Sequence, residues 1–223
     1  MQRFSLVLGW CGIIYLSGKW TGALADMGVG LLCQPNYRMR PFDQLPDGVS
    51  WAADTGIFGK SPFILDRYFQ MLEFWMVRSG DCLFATAPDV VADWKATLAR
   101  SMPVIPTIRA MGYPAALVLQ DGATPETVPW QEIDAVFTGG STDWKLSEDA
   151  YRLVAEAKYR GLWAHMGRVN SLRRLRAADV AGYDSADGTF LPWAPDKNVE
   201  RMQRWFDKMQ IQPSLSLDGV GVW

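Results

Sequence analysis

The sequence predicts one compact (β/α)8 barrel, a single domain over residues 1–223. Three observations lead there. Short, continuously apolar runs alternate with amphipathic stretches, and such runs belong to parallel strands covered on both faces. Seven or eight of these units follow one another, the number a closed barrel needs. Finally, 223 residues at 49% hydrophobic and 21% charged suit one core, near the lower size limit of this barrel. The runner-up is an open doubly wound sheet. No G-x-G-x-x-G turn follows the first strands, which weakens its dinucleotide-binding form.

The expected strands cover residues 13–16, 29–33, 49–53, 82–85, 115–119, 135–138, 162–165 and 180–183. Helices are expected over 62–78, 90–100, 147–160, 171–176 and 197–209. Pro62 suits a first helical turn. Ser147 ahead of Glu148 and Asp149 supplies a cap and acids at the positive helix end. The N-terminal apolar run 4–16 follows Arg3, and Ala23-Leu24-Ala25 comes after it. That pattern has two readings: a secretory leader, or buried strands broken at Gly9 and Gly12. The run is short for a bilayer span, so no membrane is expected as a partner.

Composition narrows the chemistry. Cys11, Cys33 and Cys82 are isolated and odd in number, so no disulfide framework follows. No cysteine pair has zinc-ligand spacing, and the one histidine, His165, rules out an HExxH-type site. Neither a metal nor a cofactor is expected. A Ser-His-Asp triad lacks its G-x-S-x-G turn. Carboxylates remain. The net charge, 22 − 24 = −2, argues against nucleic-acid binding through bulk charge and leaves only a local basic patch.

Polar residues recur where the expected strands end. Asp54 follows strand 49–53, and Asp89 comes after 82–85. Gln120 ends 115–119, Gly139 and Gly140 follow 135–138, His165 ends 162–165, and Asp184 ends 180–183. In a parallel barrel these positions converge on the C-terminal rim, where active sites sit. Asp187 stands beside Gly188 and reads as turn chemistry, which makes Asp184 the better chemical candidate. Two rim carboxylates suit displacement at a sugar anomeric carbon, one as nucleophile and one handling protons. Arg168, Arg173, Arg174 and Arg176 form the densest basic cluster, a candidate phosphate-binding patch. An ordinary solvated helix face is the plainer account of the same residues.

Asp54-Thr55-Gly56-Ile57-Phe58, Leu119-Gln120-Asp121-Gly122, Gly139-Gly140-Ser141 and Tyr183-Asp184-Ser185-Ala186 resemble, in this order, motifs of the tRNA-guanine transglycosylase superfamily. The stretch 161–176, with His165-Met166-Gly167 and Leu172-Arg173-Arg174-Leu175, is similar to its DpdA-type branch, which exchanges guanine for a 7-deazaguanine in DNA and is often encoded by phages and genomic islands. Ile57 replaces a glycine of the first motif, the base-reading Asp has only Asp89 as nearest acid, and the Cys-rich zinc site is absent.

The resemblance implies a (β/α)8 barrel that acts in the cytoplasm of a bacterium or a phage-infected host. Its substrates would be DNA and a free 7-deazaguanine base, with room for an accessory protein that opens DNA. Asp184 would be the nucleophile and Asp54 the general acid/base. Asp89, Gln120, Gly139, Gly140 and His165 would line the base site, and Arg168, Arg173, Arg174 and Arg176 would meet phosphates. Three other readings stay open at this level: a hydrolytic N-glycosylase with the same carboxylates, a catalytically degenerate barrel that binds nucleic acid or a partner, and a secreted carbohydrate-active barrel.

Overall fold

In a computed structural model of the chain, eight parallel strands close into a barrel in sequential order. The structure describes residues 12–19, 21, 24, 26–35, 45–57 and 62–211. Most of the N-terminal apolar run, Ala23 and Ala25, and Phe58 of the first motif lie outside them.

The strands are β1 Ile14–Ser17, β2 Gly30–Cys33, β3 Trp51–Ala53, β4 Cys82–Thr86, β5 Ala115–Leu119, β6 Ala135–Thr138, β7 Trp163–Met166 and β8 Ser185–Gly188. β1 closes the ring by pairing with both β2 and β8. The helices are α1 Leu65–Trp75, α2 Trp94–Ser101, α3 Ile105–Ala110, α4 Thr142–Lys145, α5 Glu148–Tyr159, α6 Leu172–Val180, α7 Phe190–Trp193 and α8 Pro195–Ile211. A 3-10 segment, Met76–Asp81, links α1 to β4. None of these helices is long and apolar enough to cross a membrane.

The helical pattern explains the outer layer. α1 buries Tyr68, Met71, Leu72 and Trp75, and α5 buries Ala150, Leu153, Val154 and Ala157. Both sets follow the i, i+3, i+4, i+7 spacing of one helix face. Asp93, Ser147 and Ser171 cap α2, α5 and α6 by accepting from the N–H of Ala96, Ala150 and Arg174. Between sheet and helices, Trp51 packs on Trp75 at 4.8 Å and edge-on to Tyr113 at 5.8 Å. The indole N–H of Trp51 is satisfied by the carbonyl of Arg78.

The barrel lumen is a separate cluster. Leu16, Leu32, Ala52, Phe84, Ala116 and Ala135 fill it, with Ile14, Phe137 and Trp163 packed against them. Alternation along β7 and β8 turns Trp163, His165, Ser185 and Asp187 inward as well.

The last strand differs from expectation. Residues 180–183 are not a strand: Val180 ends α6, and the chain turns through Gly182 at φ 81°. The N–H of Tyr183 reaches the carbonyl of Ala178, and that of Gly182 reaches Asp179. These two bonds are the Schellman stop, which wants a glycine in the left-handed conformation. Gly161 ends α5 in the same way, with Leu162 bonded to Ala157 and Gly161 to Lys158. α6 outruns the expected 171–176 because Leu175 and Ala178 face the barrel and helix-favouring alanines follow Arg176. The strand therefore begins at Ser185.

Candidate active site

That shift decides which acid reaches the rim. Asp184 precedes β8 and lies at the N-terminal end of the barrel. Its N–H bonds the carbonyl of Ala164, its carbonyl receives the N–H of Ile14, and its Oδ2 accepts the N–H of Ala164 at 2.8 Å. Lys158 Nζ contacts both of its oxygens at 2.6 Å. The expected pairing of Asp184 with Asp54 is thereby corrected: the two sit at opposite ends of the barrel. Asp187 occupies the rim instead. It is the third residue of β8, opposite Leu16 of β1, and it is not a turn residue.

At the C-terminal rim three carboxylates come together. Asp54 leaves β3 with its N–H bonded to the carbonyl of Cys33, and its Oδ2 accepts from Gln34 Nε2 at 2.5 Å. Loss of solvation pushes its pKa up to about 7; the Gln34 bond opposes this, while the charges of Asp187 and Asp89 add to it. Asp89 is buried, and desolvation raises its pKa to about 6 against the pull of Arg100, Gln120 and Arg168. Asp187 Oδ1 meets His165 Nε2 at 3.1 Å and the N–H of Arg168 at 3.3 Å. Arg168 sits at φ 60°, unusual for a residue with a Cβ, and this turn aims its N–H at the carboxylate. Its guanidinium reaches the carbonyl of Gly140.

His165 is wholly buried, with its ring 4.9 Å from that of Phe84 and 4.5 Å from that of Phe137. Desolvation lowers its pKa, opposed by Asp187. It lies beneath the rim rather than on it, so its contact is with Asp187 and not with open space.

Gln120 is a clamp. Its Nε2 donates to Asp89 Oδ2 at 2.6 Å, and its Oε1 accepts from the N–H groups of Ala92 and Gly140 at 2.9 Å each. The N–H of Gly139 goes to the carbonyl of Leu119. The N–H groups of Gly139 and Gly140 are thus engaged within the protein. The glycines are required for another reason: a Cβ on Gly139 would lie 2.8 Å from Val118 Cγ1, and Gly140 sits at φ 65°. Asp89 is the buried carboxylate that this clamp holds. Beside Asp54, Thr55 Oγ1 is the buried side-chain oxygen that finds no hydrogen-bond partner among the described residues.

The four arginines divide. Arg173 and Arg174 line a cavity of about 380 Å3 with Leu146, Asn170 and Ser171. Arg176 turns away to the carbonyl of Lys208 on α8. Arg168 belongs to the carboxylate group. Sequence reasoning missed Lys145 on α4, which is buried, donates to the carbonyl of Gly167, and has its pKa lowered to about 8 by desolvation and by Arg168. It also missed Gln34 and Asp187. The signal for Asp187 was available in Gly182 as a helix stop, after which Ser185 and Asp187 share one strand face. Among the described residues, no group of three or more His, Cys, Asp or Glu side chains could hold a metal ion.

Comparison with protein-family models and with curated proteins finds no match to this chain.

Proposed function

We propose that this protein is a base-exchanging glycosyl transferase that replaces guanine in DNA with a 7-deazaguanine, using Asp187 and Asp54. The observation that carries the reading is the convergence of Asp54, Asp89 and Asp187 on one rim, close enough that the charges of the other two raise the pKa of Asp54. Carboxylates held in contrasting environments are how one site runs nucleophilic and acid chemistry together. The motif resemblance supplies the substrate class, with Asp187 in the role that the resemblance gave to Asp184.

In this mechanism Asp187 Oδ2 attacks C1′ of an extruded deoxyguanosine nucleotide. A C1′–O bond forms as the C1′–N9 bond breaks, the electron pair leaves with the purine, and Asp54 gives the base a proton. The 7-deazaguanine then enters. Its N9 attacks C1′, the ester bond to Asp187 breaks, and the N9 proton passes to Asp54. Two inversions keep the original configuration. An Asp54 pKa near 7 suits a group that must both give and take a proton. Asp89, held by Gln120, faces the polar edge of the base. Arg173 and Arg174 receive backbone phosphates, which helps offset the few kcal/mol of extruding a nucleotide.

The test is exchange of labelled guanine in DNA, with trapping of a covalent DNA adduct under denaturing conditions. The wild type is expected to form the adduct and Asp187→Asn is not. An adduct that survives in Asp187→Asn and vanishes in Asp184→Asn overturns the reading. Guanine released without an incoming base would instead indicate hydrolysis.

A further inference from the structure

Inside the barrel, beneath the rim, three side chains of β7 and β8 lead to Asp187. Trp163 Nε1 donates to Ser185 Oγ at 2.9 Å. Ser185 Oγ lies 2.8 Å from His165 Nδ1, and His165 Nε2 lies 3.1 Å from Asp187 Oδ1. Strand register builds this row, since His165 sits opposite Ser185.

Donor counting gives the row a direction. An indole N–H can only donate and an ionised carboxylate can only accept. His165 Nε2 must therefore carry the hydrogen toward Asp187. In a neutral imidazole the other nitrogen is then an acceptor, so the Ser185 hydroxyl donates to Nδ1 and accepts from Trp163. Every polar side-chain atom of Trp163, Ser185 and His165 is satisfied this way. A doubly protonated ring would make Nδ1 a donor to the Ser185 oxygen and leave the hydroxyl hydrogen without a described acceptor. The charged groups acting on the ring are Asp187, which favours protonation, and Lys145, which opposes it. Phe84 and Phe137 contribute no charge.

We propose that His165 is a positioning residue, locked by Trp163 and Ser185 as the neutral Nε2–H tautomer, which selects the oxygen of Asp187 that reacts. Oδ1 takes two donors, His165 Nε2 and the Arg168 N–H, while Oδ2 accepts none from the described residues. The carboxylate is thereby turned with its unencumbered oxygen to the substrate, and Oδ1 is held through the step. This role rests on Asp187 being the nucleophile; the tautomer does not.

The chain has a single histidine, so 15N-labelled imidazole signals in the intact protein report this ring alone. The expected result is the Nε2–H tautomer with no protonation between about pH 5 and 8, the range an unperturbed histidine titrates across. An Nδ1–H ring, or one that titrates normally, overturns the lock. In the exchange assay Ser185→Ala is expected to lower kcat by about 10- to 100-fold with KM little changed, as for the loss of one buried hydrogen-bond partner. His165→Gln places an amide donor where Nε2 stands and is expected to keep more activity than His165→Asn, with both melting cooperatively. Equal activity of the two folded variants overturns the positioning role. If Asp187→Asn keeps exchanging bases while the tautomer holds, the functional reading fails and the lock stands.

Discussion

Asp184 and Asp187 are three residues apart, and they meet opposite ends of the barrel. At the N-terminal end Asp184 is tied by Lys158 and by the N–H of Ala164, and Asp134 repeats the arrangement with Arg109 and the N–H of Ala115. Each staples the entry of one strand to its neighbour and to a helix. At the C-terminal end Asp54 and Asp89 have amide partners, Gln34 and Gln120, and Asp187 has an imidazole. None of these three forms a lysine or arginine ion pair among the described residues. Acids at the lower end satisfy their charge and stabilise. At the upper end Asp89 is buried and Asp54 half-buried; loss of solvation raises the proton affinity of both, the charges of Asp187 and Asp89 add to it at Asp54, and this costs stability, as at active-site groups.

The contrast breaks first at Asp187. Asp187→Asn is expected to reduce base exchange by about a thousandfold or more, the scale for loss of a nucleophile, measured by labelled guanine turnover. A smaller loss would put the upper acids on a level with the lower ones. Asp54→Asn is expected to cost about 10²- to 10⁴-fold, the span of general acid–base catalysis, with DNA binding retained in a filter assay.

The same substitution sharpens the comparison through stability. Asp54 and Asp89 have folded pKa values of about 7 and about 6, above the ordinary carboxylate range. The folded state therefore binds more protons than the unfolded one between about pH 4 and 7, and stability falls as pH rises through that window. Asp54→Asn is expected to raise the melting temperature at pH 8 by a few degrees, roughly 1 kcal/mol, with little change at pH 4. A lower melting temperature at pH 8 would show that the charge is well paired.

Arg173→Ala and Arg174→Ala are each expected to weaken DNA binding and to reduce the salt slope by about one. Arg176→Ala should leave both unchanged, since its guanidinium faces α8. The smallest effect belongs to Asp184→Ala. Its ion pair is partly exposed, at 37% for Lys158 and 24% for Asp184, so the loss is about 1 kcal/mol, mainly from the Ala164 N–H. Exchange activity should be unaffected.

Much of the architecture was legible. The runs Ala115–Leu119 and Ala135–Thr138 occur as read, because a strand buried on both faces is apolar without interruption. Asp54, Asp89 and Gln120 follow from the ends of such strands. β8 was not legible in the same way. Its residues, Ser-Ala-Asp-Gly, carry one apolar side chain, and their strand identity comes from pairing with β1 and β7. The more apolar stretch before it is the end of a helix and its stop.

The chain by itself determined the alternation of strands and helices and their order, because periodicity is a local property. Only the closed barrel decided which acid faces which end. A displacement of β8 by a few residues carries a side chain from one rim to the other, and that register is fixed by hydrogen bonds to strands far away in sequence. The lumen row of Trp163, Ser185, His165 and Asp187 exists for the same reason: it is made by two strands side by side, which no single stretch of sequence contains.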